Sequence, residues 1–439
     1  MILVIRGVGM PITRKIFESI ALILSGLVLS SCVIRDLKND LDTAVQEYGY
    51  FKAEVTGPDD GSDVLIGLFK RDEGRLSIAN LRTVSSGEIF YLLVPNAEYT
   101  VFAYSDSNGD SAYQPGEPAA RIDDPDINWF KDMQLEGRID HETLRIQPIE
   151  LTDAITLEQN LDLSLAALRT ESRAADNFLR IISWDDDKFS AENSTRSLWE
   201  PTWFQKEVGY GLYVLKEFDP AKKSILLVHG VLDSPPVFKT LADAIPDEYQ
   251  LLLFHYPSGF PLEYTAYTLN EALDELVRRN KIPQLDILAH SMGGLVSKGL
   301  LAIADDALRQ RLRLFISIAS PFGGDASAVW TKWSPIVAPV WWALVPDSPY
   351  LQKIANVDLS DGPSHHLIFT YSHEAGGKSE GDDGVVTLTS QLEKSSQRNA
   401  TAIYGIADNH KGVVSNPCTL ALVTTILQDG NTRVTIPDC

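Results

Sequence analysis

LDILAHSMGGLVSKGL, residues 285–300, carries an apolar strand pattern into a group of small residues and then into a helical pattern, with Ser291 at the change of period. A serine hydroxyl is a poor nucleophile until a base takes its proton, so a reactive serine must project from a rigid point that a histidine can reach. In Ala289-His290-Ser291-Met292-Gly293 the positions two residues to either side of the serine are small, as a sharp strand-to-helix turn requires. Glycine is the usual first residue of such a turn; Ala289 departs from it but stays small. The helix that begins at 292 offers backbone donors and the positive end of its dipole to a developing oxyanion, with the Met292 amide as first donor. A serine that merely caps the helix is the competing reading.

From residue 224 onward, strand and helix patterns alternate. SILLVHG is followed by a helix in FKTLADAIP, QLLLFHYP by a helix over about 263–280, and QLDILAH by a helix over 292–304. RLRLFISIAS, HLIFTYSH and ATAIYGI then lead to a last helix in TLALVTTILQ. Ala266, Leu269, Leu273, Leu276 and Val277 share one face of the 263–280 segment. Strands that read as apolar runs mark a parallel sheet covered on both faces. The pattern predicts the α/β class, a mostly parallel sheet flanked by helices, over residues 221–439.

The partners of Ser291 are expected later in the chain, the acid before the histidine. His365, His366 and His373 bracket a strand pattern that precedes the best acid, whereas His410 lies in GIADNHKGVV, a loop after the last strand, and is the chosen base. SEGDDGVVTLTS offers Asp382 and Asp383; Asp383, directly before Gly384-Val385-Val386, is preferred as the acceptor of the Nδ1 proton. A second oxyanion donor is expected from the Val231 amide in LLVHGVLDS, 226–234, with His229 organising the loop.

VHGVLDSP, AHSMGG, SIASPFGG, DDGVV and DNHKG, in this order over 224–428, resemble the α/β-hydrolase superfamily, and within it bacterial lipases and the GPI-inositol-deacylase-like hydrolases. SWDDDKFSAENSTRSLWEPTWF resembles a segment that comes before the hydrolase domain in lipoprotein hydrolases. The resemblance implies the α/β-hydrolase fold and carboxylic-ester hydrolysis through Ser291, His410, Asp383 and an acyl-enzyme, without a cofactor for catalysis. It does not choose the substrate. An acyltransferase or amidase using the same site, and a catalytically inert surface-binding lipoprotein, stay open.

Residues 1–15 carry Arg6, Arg14 and Lys15, residues 19–29 are apolar, and Leu29-Ser30-Ser31-Cys32 follows. This is a signal-peptide layout over 1–31, its apolar run too short to span a bilayer. LSSC resembles the lipobox of bacterial lipoproteins, which implies cleavage before Cys32, lipid attachment there, and a membrane anchor in the cell envelope, at the outer membrane. An ordinary secretory signal with an incidental cysteine is the alternative. Residues 32–49 read as a tether. Past the leader, Cys418 and Cys439 remain, an even count that in an oxidising compartment suggests a disulfide tying the strand-like TRVTIP to the preceding helix, against two unpaired thiols.

Residues 50–152 show short β-rich runs (YFKAEVTG, SDVLIGLFK, GEIFYLLVP, AEYTVFAYSD, with more near 129–135 and 144–151), the spacing of a small all-β sandwich. Residues 153–220 read as a bridge, helical through Leu161, Leu165, Leu168 and Phe178 to Ile182, with a strand candidate at GLYVL. Within DSNGDSAYQPGE, Asp106, Asn108, Asp110 and Glu117 occupy oxygen-ligand positions of a calcium loop, but Ser111 replaces its glycine and Pro115 discourages a helix behind it. A structural calcium and an acidic turn are both open. Residues 325–362 hold four of the eight tryptophans, as a lid with an apolar underside would, or an ordinary core.

A chain of 439 residues exceeds one core. Its formal charge of -22, without a Lys/Arg run, argues against nucleic-acid binding. The expected partners are an ester or lipid substrate and the membrane; the oligomeric state is not legible.

Overall fold

The computed structural model describes residues 48–58, 61–72, 75–108, 113–129, 145–153, 155, 179–280, 282–328, 338–360, 362–372, 382–430 and 432–435. The leader, Cys32, the tether up to 47 and the helical pattern through Leu161, Leu165 and Leu168 lie outside the described residues.

The N-terminal body is built from β1 (Tyr48–Thr56), β2 (Asp63–Asp72), β3 (Arg75–Val84), β4 (Ile89–Pro95), β5 (Glu98–Asp106), β6 (Ala119–Asp123), β7 (Asn128–Trp129) and β8 (Gln147–Glu150). One sheet has the order β3-β2-β5-β6; the other has β4-β1-β7, with β8 parallel to β1. Alternation decides which faces meet: Phe51, Ala53 and Val55 of β1 share a core with Val64, Ile66 and Leu68 of β2 and Val101 and Ala103 of β5. Strands β3 and β6 were not among the expected runs. Arg75, Asn80 and Arg82 dilute the β signal of β3, whose strand state comes from antiparallel pairing along β2.

The C-terminal body holds an eight-stranded sheet of β9 (Leu179–Ile181), β10 (Gly211–Val214), β11 (Lys223–Val228), β12 (Tyr249–His255), β13 (Leu285–His290), β14 (Leu312–Ile318), β15 (Ser364–Tyr371) and β16 (Ala400–Ala407). The order is β16-β15-β14-β13-β11-β12-β10-β9. The six strands from β11 to β16 are parallel, and β10 pairs antiparallel with β12. Leu179–Ile181, expected to continue a helix, is instead the edge strand β9, held by parallel pairing with β10. The bridge therefore supplies two strands, and the sheet begins well before residue 221.

Helices cover both faces: α1 (Ala191–Trp199), α2 (Leu262–Asn280), α3 (Met292–Ile303), α4 (Val340–Leu344), α5 (Pro349–Ala355) and α6 (Pro417–Asp429). Leu226 and Val228 of β11 face the layer containing Leu269, Leu273 and Leu276 of α2 and Leu295 of α3. Ile225 and Leu227 face Leu422, Val423 and Ile426 of α6. Each fully buried side chain of this kind contributes about 1.5–3 kcal/mol, so a strand covered on both sides gains from an apolar residue at every position. Tyr267 and Ile303 pack against the sandwich core and join the two bodies. TRVTIP is not a strand over its described residues; Val434 instead donates its amide to the Tyr404 hydroxyl at 3.1 Å. No helix among the described residues is long and apolar enough to cross a membrane.

Candidate active site

One residue separates β13 from α3, and it is Ser291. The turn holds it at φ 54° and ψ -129°, a conformation that costs a non-glycine residue about 1–3 kcal/mol and persists only where its surroundings impose it. The Ser291 amide donates to the Ile318 carbonyl at 2.9 Å, pinning the turn to the end of β14. Gly293 lets the start of the helix press onto β11: a Cβ there would lie 2.2 Å from the Val228 carbonyl oxygen.

His410, in the loop after β16, reaches over this turn with Nε2 2.8 Å from Ser291 Oγ and Nδ1 2.7 Å from Asp383 Oδ2. A carboxylate only accepts, so Nδ1 carries the hydrogen and Nε2 presents its lone pair to the serine hydroxyl. Asp383 is buried, and its orientation is over-determined. Oδ1 accepts from the Val385 and Val386 amides at 2.9 and 2.7 Å, and Oδ2 accepts also from Gln391 Nε2 at 3.2 Å. The His410 amide donates to the Asp383 carbonyl at 3.0 Å, tying the two loops together.

Two supporting side chains escaped the sequence reading. Gln391 anchors Asp383, and nothing in its local pattern marks it. His290, beside the serine, donates from Nε2 to the His410 carbonyl at 2.9 Å. Burial, with the nearby His410 adding to it, pushes its pKa down to about 3, so it stays neutral.

The loop after β11 lies against the serine: a Cβ on Gly230 would come within 2.9 Å of Ser291 Cβ. His229 is buried, and desolvation pushes it down to about 4. Its Nδ1 donates to the Gly230 carbonyl at 2.9 Å, which fixes the peptide unit whose other end is the Val231 N–H. Tyr256 stacks on the His229 ring at 4.3 Å and donates to the His229 carbonyl at 2.6 Å. Neither the Val231 nor the Met292 amide has a hydrogen-bond partner among the described residues. Met292 opens α3, where first-turn amides lack an intrahelical acceptor. Two free donors therefore flank a serine whose hydroxyl is bonded to an imidazole, the arrangement that acyl transfer through a tetrahedral oxyanion needs.

The remaining candidates fall elsewhere. The Asp382 side chain accepts from the Gly384 amide at 3.0 Å and bends the turn. His365 and His366 are buried within the sheet, bonded to Ser317 Oγ at 2.9 Å and Tyr404 Oη at 3.2 Å, and His373 lies outside the described residues. Cys418 is disulfide-bonded; Cys439 and Cys32 lie outside the described residues. In the acidic loop, Glu117 accepts from the Ser107 and Gln114 amides at 3.1 and 2.8 Å, and Asn108 donates to Gln114 Oε1 at 2.5 Å. Asp106 is buried beside them, and Asp110 lies outside the described residues. The backbone amides account for the burial of Glu117, and no group of three metal-capable side chains occurs among the described residues. Within 325–362, α4 joins the core through Val340 and Leu344, and Tyr350 of α5 donates to the Leu295 carbonyl at 2.9 Å; residues 329–337 lie outside the described residues.

No family model and no curated protein matches the chain. Among solved structures it is similar to lipase B of Aspergillus fumigatus, with 17% identity, 49% of this chain and 56% of that chain covered, and a TM-score of 0.37. It is similar to a Bacillus licheniformis lipase in its mature form, with 16% identity, 48% and 94% coverage and a TM-score of 0.37. A thermophilic esterase from Thermogutta terrifontis shows 13% identity, 48% and 90% coverage and a TM-score of 0.32. The chain thus spans little more than half the length of the Aspergillus protein. Likenesses this distant leave the fold to be judged from the strands themselves. A parallel sheet whose central strand β13 turns sharply at Ser291 into a helix, with Asp383 and then His410 following on loops past β15 and β16, is the α/β-hydrolase fold.

Proposed function

We propose that the protein is a serine hydrolase of carboxylic esters, of the lipase and esterase kind. The observation that carries this reading is the unbroken chain from Ser291 Oγ through His410 to Asp383, at 2.8 and 2.7 Å, on a strained strand-to-helix turn. His410 Nε2 takes the hydroxyl proton as Ser291 Oγ attacks the ester carbonyl, and Asp383 stabilises the imidazolium that forms. The Val231 and Met292 amides receive the oxyanion. His410 returns the proton to the leaving alcohol, and a water activated by the same imidazole releases the acid from the acyl-enzyme.

The leader and LSSC sequence support a lipid-anchored protein of the bacterial envelope, and the tryptophan-rich segment 325–362 supports acylated substrates. A fluorophosphonate should label Ser291 of the folded chain and abolish turnover of p-nitrophenyl acyl esters. Absence of labelling would leave the inert-scaffold reading standing. Faster transfer of the acyl group to an added alcohol or amine than to water would make the protein an acyltransferase instead. A chain-length series with and without a detergent interface tests the lipid preference, which an optimum at short soluble esters would reject.

A further inference from the structure

The loop that carries the Val231 amide contains a second strained residue. Leu232 sits at φ 57° without being glycine, so something outside the loop must impose that conformation. Its amide donates to Ser258 Oγ at 3.3 Å. Ser258 follows β12, is buried, and its hydroxyl lies 3.0 Å from Ser197 Oγ of α1. Ser197 Oγ in turn donates to the Ser194 carbonyl at 2.7 Å and accepts from the Ser258 amide at 3.3 Å.

Each hydroxyl has one hydrogen, which fixes the direction of this chain. If Ser197 donated to Ser258, the Ser258 hydrogen would have no acceptor among the described residues. Donation from Leu232 N–H to Ser258, from Ser258 to Ser197, and from Ser197 to the Ser194 carbonyl satisfies every member. The same stretch is locked by backbone contacts. The Gly259 amide donates to the Ser197 carbonyl at 3.0 Å, and a side chain at Gly259 would collide with the Leu198 carbonyl oxygen at 2.2 Å. Ser234, two residues past Leu232, donates to the Phe189 carbonyl at 2.9 Å.

We infer that Ser258, backed by Ser197 of the segment leading into the sheet, is a positioning residue: it holds Leu232, and through it the Val231 amide, where the oxyanion forms. This makes α1 part of the active-site support rather than a linker. The inference rests on the ester-hydrolase reading above, and the experiment separates the two.

The full chain, Ser258→Ala and Ser197→Ala are compared for kcat and KM on p-nitrophenyl butyrate, for the rate of fluorophosphonate labelling, and for thermal midpoint. Outright loss of one oxyanion donor costs about 100- to 1000-fold in kcat. A donor that is loosened rather than lost should cost about tenfold in Ser258→Ala, with KM within about twofold and labelling slowed by the same factor as kcat. Ser197→Ala should fall between this variant and the wild type. An unchanged kcat in Ser258→Ala, or a rise in KM with kcat intact, overturns the inference while leaving the hydrolase reading in place. If Ser258→Ala does not fold, an unchanged kcat in Ser197→Ala overturns it equally. A wild-type chain that is neither labelled nor active overturns the hydrolase reading, and the inference with it.

Discussion

Among the described residues, two serine–histidine hydrogen bonds of almost equal length lie in or beside the large sheet, and only one of them has the makings of a catalytic site. Ser291 Oγ and His410 Nε2 are 2.8 Å apart; Ser317 Oγ and His365 Nε2 are 2.9 Å apart. The first pair stands beyond the carboxyl end of β13, where the crevices of open α/β sheets lie. The second is buried between neighbouring strands, with His365 stacked on Phe315 at 4.5 Å. The far nitrogen of His410 meets a carboxylate, whereas Nδ1 of His365 has no partner among the described residues. Ser291 is flanked by amides left free for an oxyanion; Ser317 is enclosed by sheet. A serine next to a histidine is therefore a packing motif until a carboxylate, free donors and an opening are added to it.

The sharpest break of the comparison is Ser291→Ala. Turnover of p-nitrophenyl esters should fall on the order of 10⁶-fold in kcat, with the circular dichroism spectrum and thermal midpoint retained. Ser317→Ala must not do this. Next in size is Asp383→Asn, which removes the group that sets the His410 tautomer and should lower kcat by about 10⁴-fold, measured on the same esters. Equal rates in the variant and the wild type would mean that Asp383 only packs.

A third change moves the test to the opposite end of β13. There Asp286, completely buried, accepts from Arg313 Nη2 at 2.6 Å and Nε at 3.1 Å, and from the Tyr249 hydroxyl at 3.0 Å. This carboxylate is paired with a guanidinium that stays charged, and the pair braces neighbouring strands of the sheet. Arg313→Met should cost about 3–5 kcal/mol of stability in urea unfolding, because a buried charge loses its partner. The folded fraction should keep its kcat. Smallest is Ser317→Ala, expected to cost about 1–3 kcal/mol by leaving both His365 ring nitrogens without a partner, with kcat within about twofold of the wild type. A large loss of activity in this variant would erase the distinction between the two pairs.

Much of this was legible before any coordinates. The change of hydrophobic period at Ser291, the small residues beside it, and the apolar runs of β11 to β14 are local properties, and they predict the parallel sheet and the turn. Other features were not readable, for physical reasons. Leu179–Ile181 becomes a strand only because β10 offers an edge to pair with. RLSIANLRTV has a diluted β pattern that tertiary pairing overrides. In the acidic loop, the spacing of the oxygen-bearing side chains does not reveal that the carboxylate of Glu117 accepts from the Ser107 and Gln114 amides.

By itself, the sequence determined where a serine could be held in a strained turn, which strands would be covered on both faces, and which few histidines and aspartates could serve as partners. Periodicity and residue size settle such questions within a dozen neighbouring positions. Only the tertiary structure decided that His410, the base already chosen from chain order, comes within 2.8 Å of Ser291 across 119 residues of chain, that Gln391 and His290 steady the partners, and that Ser197 reaches the loop beside the serine. Hydrogen bonds of this length depend on where separate loops arrive when the sheet closes its layers, and no local pattern encodes that arrival.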